Sequence, residues 1–400
     1  MDIDLIDPAR FAAGHPHAQY DWLRANAPVY WHAEPNGPGF WAVTGYDAVY
    51  EVDRDFQTYS SQPTVMLDDP PPGPPPFGDY QMMLMMDPPQ HTAFRRLIRE
   101  EFLPDPTMAR VPRMQRLARQ IVDKAIAKGR CDFVSEIAGE MPSYVIAELM
   151  GLPLEDGREL YKLTEVIHTS PSAQAEGAGA QAVFKMFEYG MGIIAEKRAR
   201  PADDLATKLL NAEVEGRKLA DMEFLLFFLL LVDAGGDTTR NLLASGLISL
   251  IANPDQLAWL KADLPARLPA AREELLRYTS PVVYMRRTAT RDAVLGGQAI
   301  EAGQKVVMFY GAANRDASHF ADPHALMLGR TPNEHMAFGN GPHVCLGQHL
   351  ARIEIDAVLT EVLSRMDDLA IAAPPVWLQS NFIAGPTHLE VTFRPGAALG

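Results

Sequence analysis

The sequence predicts a mainly α-helical protein with a small β-rich region. Apolar residues recur three and four positions apart over residues 113–127, 142–150, 180–198 and 222–252. Strand-like stretches are short and distant from one another, at residues 40–44, 286–295, 305–309 and 387–393. The 400 residues are 47% hydrophobic and contain no segment that divides two cores. We therefore expect one domain over residues 1–400.

A proline-rich segment at residues 62–80 interrupts these patterns. Its centre reads PPPGPPP, which cannot hold a helix. Long loops inside a compact domain are usually functional or mobile, and the helical pattern resumes just beyond His91. We predict a binding-site loop, with a domain linker as the less favoured alternative. The methionines that follow suit either an adaptable pocket or an ordinary core: Met82, Met83, Met85 and Met86.

Charge and composition exclude several classes of protein. The formal net charge of −15 repels phosphate backbones and anionic lipid, so we expect no nucleic-acid partner. The N-terminus lacks a signal pattern, and the longest apolar run, residues 224–232, is too short to span a bilayer. Two cysteines, Cys131 and Cys345, are too few for a disulfide scaffold or a tetrahedral zinc site. We therefore expect a cytoplasmic protein without a membrane partner.

Cys345 stands in a glycine-rich loop, residues 338–347, which reads FGNGPHVCLG. An amphipathic helical pattern follows directly at residues 348–364. Glycines on both sides let a flat macrocycle approach closely, and a helix N-terminus favours a thiolate over a thiol. The alternative is that Cys345 is a buried small hydrophobe.

The long apolar helix predicted over residues 222–252 contains Gly235, Gly236 and Asp237. Two adjacent glycines cost about 2 kcal/mol of helix propensity relative to alanine, and a buried unpaired carboxylate costs more. We therefore expect another interaction to offset the free-energy cost of these residues. One alternative is a simple kink, with the hydroxyl of Thr238 bonded to a carbonyl one turn back.

These motifs resemble those of the cytochromes P450. Residues 338–347 match the family's haem-binding signature, Phe-Gly-x-Gly-x-His-x-Cys-x-Gly. Glu274 and Arg277 resemble its Glu-x-x-Arg motif, and residues 234–239 resemble its oxygen-binding groove. The resemblance spans about residues 16–393, with the motifs in the family's order. It implies the P450 fold and a monooxygenase that inserts one oxygen atom from O2 into a hydrophobic molecule.

The resemblance also implies the roles of individual residues. The cofactor would be haem b, with the Cys345 thiolate as axial ligand of the iron. Asp237 would relay protons and Thr238 would hydrogen-bond dioxygen or an ordered water. Glu274 and Arg277 would support the cysteine loop through an arginine in residues 314–316 or shortly beyond. The remaining cofactor contacts would be His91, Arg95, Arg287 and His343 at the propionates, with Phe338, Gly339, Gly347 and Ala234.

Substrate contacts are implied in the same way. The candidates are Leu230, Asp233, Ala234, Val282, Val283, Phe382 and Ile383. This largely apolar set predicts a terpenoid, steroid, aliphatic or aromatic substrate. Asp233 departs from the family's usual apolar residue, one turn before Asp237. It would bond a hydroxyl or cation of the substrate or join the proton relay; alternatively, it makes a satisfied polar contact between helices.

The sequence contains no flavin or Rossmann fingerprint, so electrons from NAD(P)H would come through a separate reductase and ferredoxin. The arginines that could form a basic patch for an acidic ferredoxin, or remain plain solvated charges, are Arg95, Arg96, Arg99, Arg110, Arg113 and Arg352. Less favoured functions are a peroxygenase or a rearranging enzyme, and a haem sensor or carrier. A zinc hydrolase is disfavoured most, because His343 and Cys345 supply only two ligands.

Overall fold

The computed structural model describes residues 1–70, 73–75 and 77–399. The helices are α1 (His17–Asn26), α2 (Tyr46–Arg54), α3 (Gln90–Arg99), α4 (Pro104–Ala109), α5 (Val111–Ile126), α6 (Glu140–Met150), α7 (Leu154–His168), α8 (Ala178–Ala199), α9 (Leu205–Asn211), α10 (Asp221–Ala252), α11 (Pro254–Ala262), α12 (Leu264–Thr279), α13 (Tyr310–Ala313) and α14 (Gln348–Arg365). The strands are β1 (Val29–His32), β2 (Phe40–Val43), β3 (Tyr59–Ser60), β4 (Arg130–Asp132), β5 (Glu213–Val214), β6 (Arg217–Lys218), β7 (Tyr284–Ala289), β8 (Ala293–Leu295), β9 (Gln298–Ile300), β10 (Lys305–Phe309), β11 (Met366–Ile371), β12 (Val376–Trp377), β13 (Pro386–His388) and β14 (Glu390–Pro395).

The predicted mainly α fold class is confirmed, with 52% helix and 13% strand. The helical patterns correspond to α5, α6, α8, α10 and α14, with ends that differ by one or two residues. Helix α10 is apolar on nearly all sides, and it packs against α6, α7, α8, α12 and α14. It therefore runs through the centre of the main hydrophobic core. In the described part of the chain, no helix has both the length and the apolar character needed to cross a membrane.

The strands form several small sheets, whereas the sequence predicted one β-rich region. The largest sheet has the order β1-β2-β10-β7-β3 and joins the N-terminal part of the chain to strands more than 200 residues later. A second sheet has the order β11-β14-β4. The strand predicted over residues 286–295 is divided into β7 and β8, because Thr290 turns away to hydrogen-bond residues 57 and 58.

The loop over residues 62–80 is attached to the five-stranded sheet. The prolines at positions 71, 72 and 76 lie outside the described residues, and the rest of the segment has neither helix nor strand. The carbonyl of Val65 accepts a hydrogen bond of 2.9 Å from the Arg286 amide. The carboxylate of Asp69 lies 2.7 Å from Arg286 Nη1 and 2.9 Å from Lys305 Nζ. These contacts hold the loop beside β7 and β10.

Candidate active site

A cavity lies between the middle of α10 and the loop before α14. It is partly open to solvent. Helix α10 contributes Leu230, Ala234 and Thr238 to its wall, and the loop contributes Phe338 and Cys345. The predicted oxygen-binding groove and the predicted cysteine loop therefore face the same space.

Cys345 is positioned by the turn that leads into α14. Its amide donates to the carbonyl of Phe338 at 2.8 Å, and the helix begins three residues later. Burial raises the pKa of the Cys345 thiol, whereas the amide of Gly347 and the guanidinium groups of Arg95 and Arg352 act to lower it. The second cysteine, Cys131, is buried in β4, and burial raises its pKa to about 12. Cys345 is thus the cysteine that can act in the cavity.

A buried ion-pair cluster on α12 supports the segment that leads into the cysteine loop. The carboxylate of Glu274 accepts two hydrogen bonds of 2.8 Å from Arg277, and both side chains are fully buried. Arg330 Nε lies 3.0 Å from the same carboxylate. Arg330 is the second arginine of this cluster, which the sequence placed only approximately, in residues 314–316 or shortly beyond. Arg277 also donates to the carbonyl of Asn314, whose side chain accepts from the amide of Met336, two residues before Phe338.

The two predicted catalytic residues point in different directions from α10. Thr238 faces the cavity, and its hydroxyl donates to the carbonyl of Ala234 at 3.0 Å. Asp237 is fully buried, lies off the cavity wall and faces α7, with Arg240 Nη2 3.2 Å from its carboxylate. A proton held on Asp237 therefore needs a side-chain rotation or a water to reach the hydroxyl of Thr238.

His168, the last residue of α7, was not predicted as a site residue from the sequence. Its Nδ1 contacts the carboxylate of Asp237, and its Nε2 lies 3.2 Å from that of Asp233. Burial alone lowers the pKa of His168, but the two carboxylates outweigh this effect and raise the pKa well above its ordinary value. Asp233 thus has a protein partner, which favours the alternative of a satisfied contact between helices. The two acids one turn apart in an apolar helix indicated that each carboxylate needs a partner. The sequence did not indicate that His168 is that partner.

Four residues predicted to bind propionates lie together on the cavity wall: His91, Arg95, Arg287 and His343. The two imidazole rings are 4.0 Å apart between centroids, and burial lowers the pKa of His91 to about 4. The guanidinium groups are therefore the cations of this wall. A Cβ added to Gly347 would meet no atom within 4 Å, so the wall stays open beside Cys345. A flat group with two carboxylates and a metal that accepts a thiolate fits these donors.

Comparison with known proteins agrees with this site. The family model for cytochrome P450 matches residues 158–367. The putative cytochrome P450 126 of Mycobacterium tuberculosis is 41% identical over 417 aligned positions, which cover 98% of each chain. The chain belongs to the cytochrome P450 family. A steroid C26-monooxygenase of Mycolicibacterium smegmatis is 36% identical to this P450 and aligns with all of it and with 98% of the relative.

A solved structure of another P450 gives the same result for the fold. Mycobacterium marinum cytochrome P450 CYP268A2, in complex with pseudoionone, superposes with a TM-score of 0.90 at 36% identity, covering 98% of this chain and 99% of that one. The predicted P450 fold is confirmed, and the chain is a haem-thiolate monooxygenase. Cys345 supplies the thiolate, because it lies on the cavity wall and the other cysteine, Cys131, does not.

The two adjacent glycines of α10 have different surroundings in this P450. Gly235 lies on the wall, but a Cβ there would come within 2.5 Å of Ile146 Cδ1 on α6. Gly236 lies off the wall and faces Tyr161 of α7, 3.7 Å from an added Cβ. At Gly235 the missing side chain therefore also permits close packing of α10 on α6.

The predicted substrate contacts of this P450 divide into two groups. Those on the cavity wall are Leu230, Ala234 and Val282, while Asp233, Val283, Phe382 and Ile383 lie off it. Val283 is fully buried because its backbone pairs with Phe382 and Tyr310, which turns its side chain into the core next to the sheet. Two members of the methionine run, Met83 and Met86, are buried in the main core, and Met83 also lines the cavity.

Proposed function

We propose that this P450 inserts one oxygen atom from O2 into a C–H or C=C bond of a terpenoid, steroid, aliphatic or aromatic molecule. The observation that carries the proposal is the juxtaposition of Thr238 and Cys345 on one largely apolar cavity wall. Haem, when bound, supplies the activation of O2. The names of a relative, a steroid C26-monooxygenase, and of a neighbour's ligand, pseudoionone, support terpenoid or steroid substrates most directly.

The chain's own residues would bind the substrate and move protons. Leu230, Ala234 and Val282 would hold an apolar substrate against the wall and exclude water from it. The hydroxyl of Thr238 would exchange its bond to Ala234 for a bond to a bound water or to oxygen. Asp237 would deliver the protons that Thr238 passes on.

A buried series of charged groups connects Asp237 to the protein surface. Arg240 is fully buried, and its guanidinium lies between Asp237 and Glu165, whose carboxylate is 2.7 Å from Nη1. The Glu165 side chain is 36% exposed. Glu165 would therefore be the solvent-facing end of this cluster, on the side of Asp237 away from the substrate, while Arg240 holds the Asp237 carboxylate and does not itself carry the proton.

The test compares Thr238→Ala with Thr238→Ser in the reconstituted enzyme. The alanine variant is expected to keep the reduced carbon monoxide band near 450 nm and NAD(P)H oxidation, but to form at least about tenfold less product per electron pair. The serine variant keeps the hydroxyl and should retain most of the coupling. Equal coupling in the alanine variant, or equal product from hydrogen peroxide without a reductase, would contradict the proposal and favour a peroxygenase.

We also propose that a ferredoxin delivers the electrons on the cysteine side. Arg96 and Arg99 are exposed on α3, the helix that carries His91 and Arg95. Three further arginines of the predicted patch form ion pairs: Arg110 with Glu101, Arg113 with Glu148 and Arg352 with Glu273. The patch therefore centres on α3. Ferredoxin binding should weaken with added salt, and Arg96→Glu should weaken it by about tenfold; binding insensitive to both would count against this surface.

A further inference from the structure

Asp53 lies beside the propionate candidates, and its role is not explained by the motifs. It stands near the end of α2, and its side chain is only 1% exposed. One carboxylate oxygen lies 3.0 Å from Arg287 Nη2. The other accepts the amide of Asn340 at 2.6 Å and lies 3.4 Å from the hydroxyl of Tyr310. A single buried carboxylate thus joins the cationic wall of the cavity to the cysteine loop.

The cysteine loop is shaped around this carboxylate. Gly339 has φ +65°, and a Cβ there would lie 3.1 Å from the Asp53 carboxylate. Gly341 has φ +66°, and its Cβ would come within 2.5 Å of the Asp53 backbone carbonyl. Both glycines therefore adopt a left-handed conformation that other residues adopt at a cost, in direct contact with Asp53. The cysteine loop and α2 are therefore in direct contact at these two glycines.

Arg287 retains donors for a second anion. A guanidinium has five N–H donors, and two of them are used by Asp53 and by the carbonyl of Arg286 at 3.0 Å. The side chain also faces the cavity. Because Asp53 fixes one edge of the guanidinium, the remaining donors are held in one orientation toward the cavity. This arrangement lets one arginine bind a haem propionate without reorganising.

The same arrangement places the buried carboxylate of Asp53 against the wall where the haem would bind. Arg95 and Arg287 are the arginines on the described part of this wall. With haem bound, the carboxylate of Asp53 would add one negative charge beside the two propionates and the Cys345 thiolate. Reduction of the iron adds a further electron, so a buried anion that is poorly screened by solvent opposes it.

We propose that Asp53 is a positioning residue of the haem site: it orients the guanidinium of Arg287 for a propionate, and its buried charge lowers the reduction potential of the haem. The inference rests on the haem cofactor and not on the identity of the substrate. It can therefore fail while the proposed monooxygenase reaction stands.

The test is a spectroelectrochemical titration of the substrate-free holoenzyme. Asp53→Asn keeps an oxygen that can accept from Asn340 but removes the charge. The midpoint potential is expected to move in the positive direction, to the same extent at low and high salt, with the carbon monoxide band still near 450 nm. Asp53→Glu keeps the charge and should keep a potential closer to that of the wild type.

Asp47 provides the matched control, because it is an acid on the same helix whose side chain is 89% exposed. Asp47→Asn should leave the potential unchanged. If Asp53→Asn does not retain haem, Asp53→Ser supplies the neutral side chain instead. An unshifted potential in the neutral variant, an equal shift in Asp47→Asn, or failure of both neutral variants to hold haem would each overturn the assignment of charge to Asp53.

Discussion

The Nε2 atom of His168 lies 3.2 Å from the carboxylate of Asp233, while Nδ1 of the same ring contacts Asp237 one turn further along α10. One imidazolium therefore neutralises two acids on the same face of a buried helix. Without the ring, the buried carboxylate of Asp237 and the partly buried carboxylate of Asp233 would be left with Arg240 as the described cation beside Asp237. The imidazolium of His168 thus allows α10 to carry both acids.

Replacing His168 by glutamine should destabilise the protein in a pH-dependent way. Removing one partner from a buried charged group typically costs about 3 kcal/mol or more. The pKa of His168 is raised in the folded state, so its stabilisation is complete below the unfolded value of about 6.5 and is lost as pH rises through the folded value. The loss of thermal stability should therefore be larger at pH 6 than at pH 10, measured on the holoprotein.

The control for His168 is a histidine–aspartate pair at the surface. His388 lies 2.8 Å from Asp132, and its side chain is 64% exposed. His388→Gln should change the melting temperature little at any pH, because exposed pairs contribute little. Equal effects of the two substitutions would show that the buried bridge does not stabilise the fold.

Asp233→Asn should leave substrate affinity nearly unchanged, because the side chain bonds to His168 and lies off the cavity wall. We expect dissociation constants within about twofold of the wild type, measured by the spin shift of the ferric enzyme with pseudoionone, a sterol and a long-chain fatty acid. Val282→Ala, on the wall, should weaken binding about fivefold. Selective loss of a hydroxylated ligand in Asp233→Asn would instead support direct recognition by Asp233.

Arg330→Ala should weaken haem retention through the support of the cysteine loop. The substitution leaves the fully buried Glu274 with Arg277 as its remaining arginine partner. A cost of about 3 kcal/mol is expected, with a lower melting temperature and faster haem transfer to apomyoglobin. Arg394→Ala removes an exposed ion pair with Asp368 and serves as the control. Matching effects of the two substitutions would argue against a role for the buried cluster.

Glu354→Gln should stabilise the protein at alkaline pH. Glu354 lies on the cavity wall, and burial raises its pKa to about 8. A raised folded pKa means that stability is lost as pH rises from the unfolded value near 4.5 to about 8. The variant should match the wild type near pH 5 and exceed it by a few kcal/mol at pH 8. A difference that does not vary with pH would contradict a protonated Glu354.

The control for Glu354 lies on the same helix. Glu361 is also largely buried, but its carboxylate accepts from Arg365 at 2.7 Å. Glu361→Gln should therefore destabilise the protein at neutral pH. The opposite signs of the two glutamate substitutions separate an unpaired buried acid from a paired one.

The helices and the cysteine site were accessible from the sequence because their signals are local. The apolar period of three to four residues located α5, α6, α8, α10 and α14, and ten consecutive residues around Cys345 indicated the thiolate. Periodicity was less informative for the strands. Each is short and is completed by a partner far along the chain, such as β2 with β10, so one β-rich region was predicted where several sheets exist.

The sequence by itself determined the family, the haem ligand and the need for a partner to the carboxylates of Asp233 and Asp237. Only the tertiary structure decided which groups meet: His168 reaches Asp237 across 69 positions, Arg330 reaches Glu274 across 56, and Arg287 reaches Asp53 across 234. The physical reason is that a buried charge must be paired, and this requirement can be inferred from composition. The partner is set by the packing of distant segments, which no local pattern encodes.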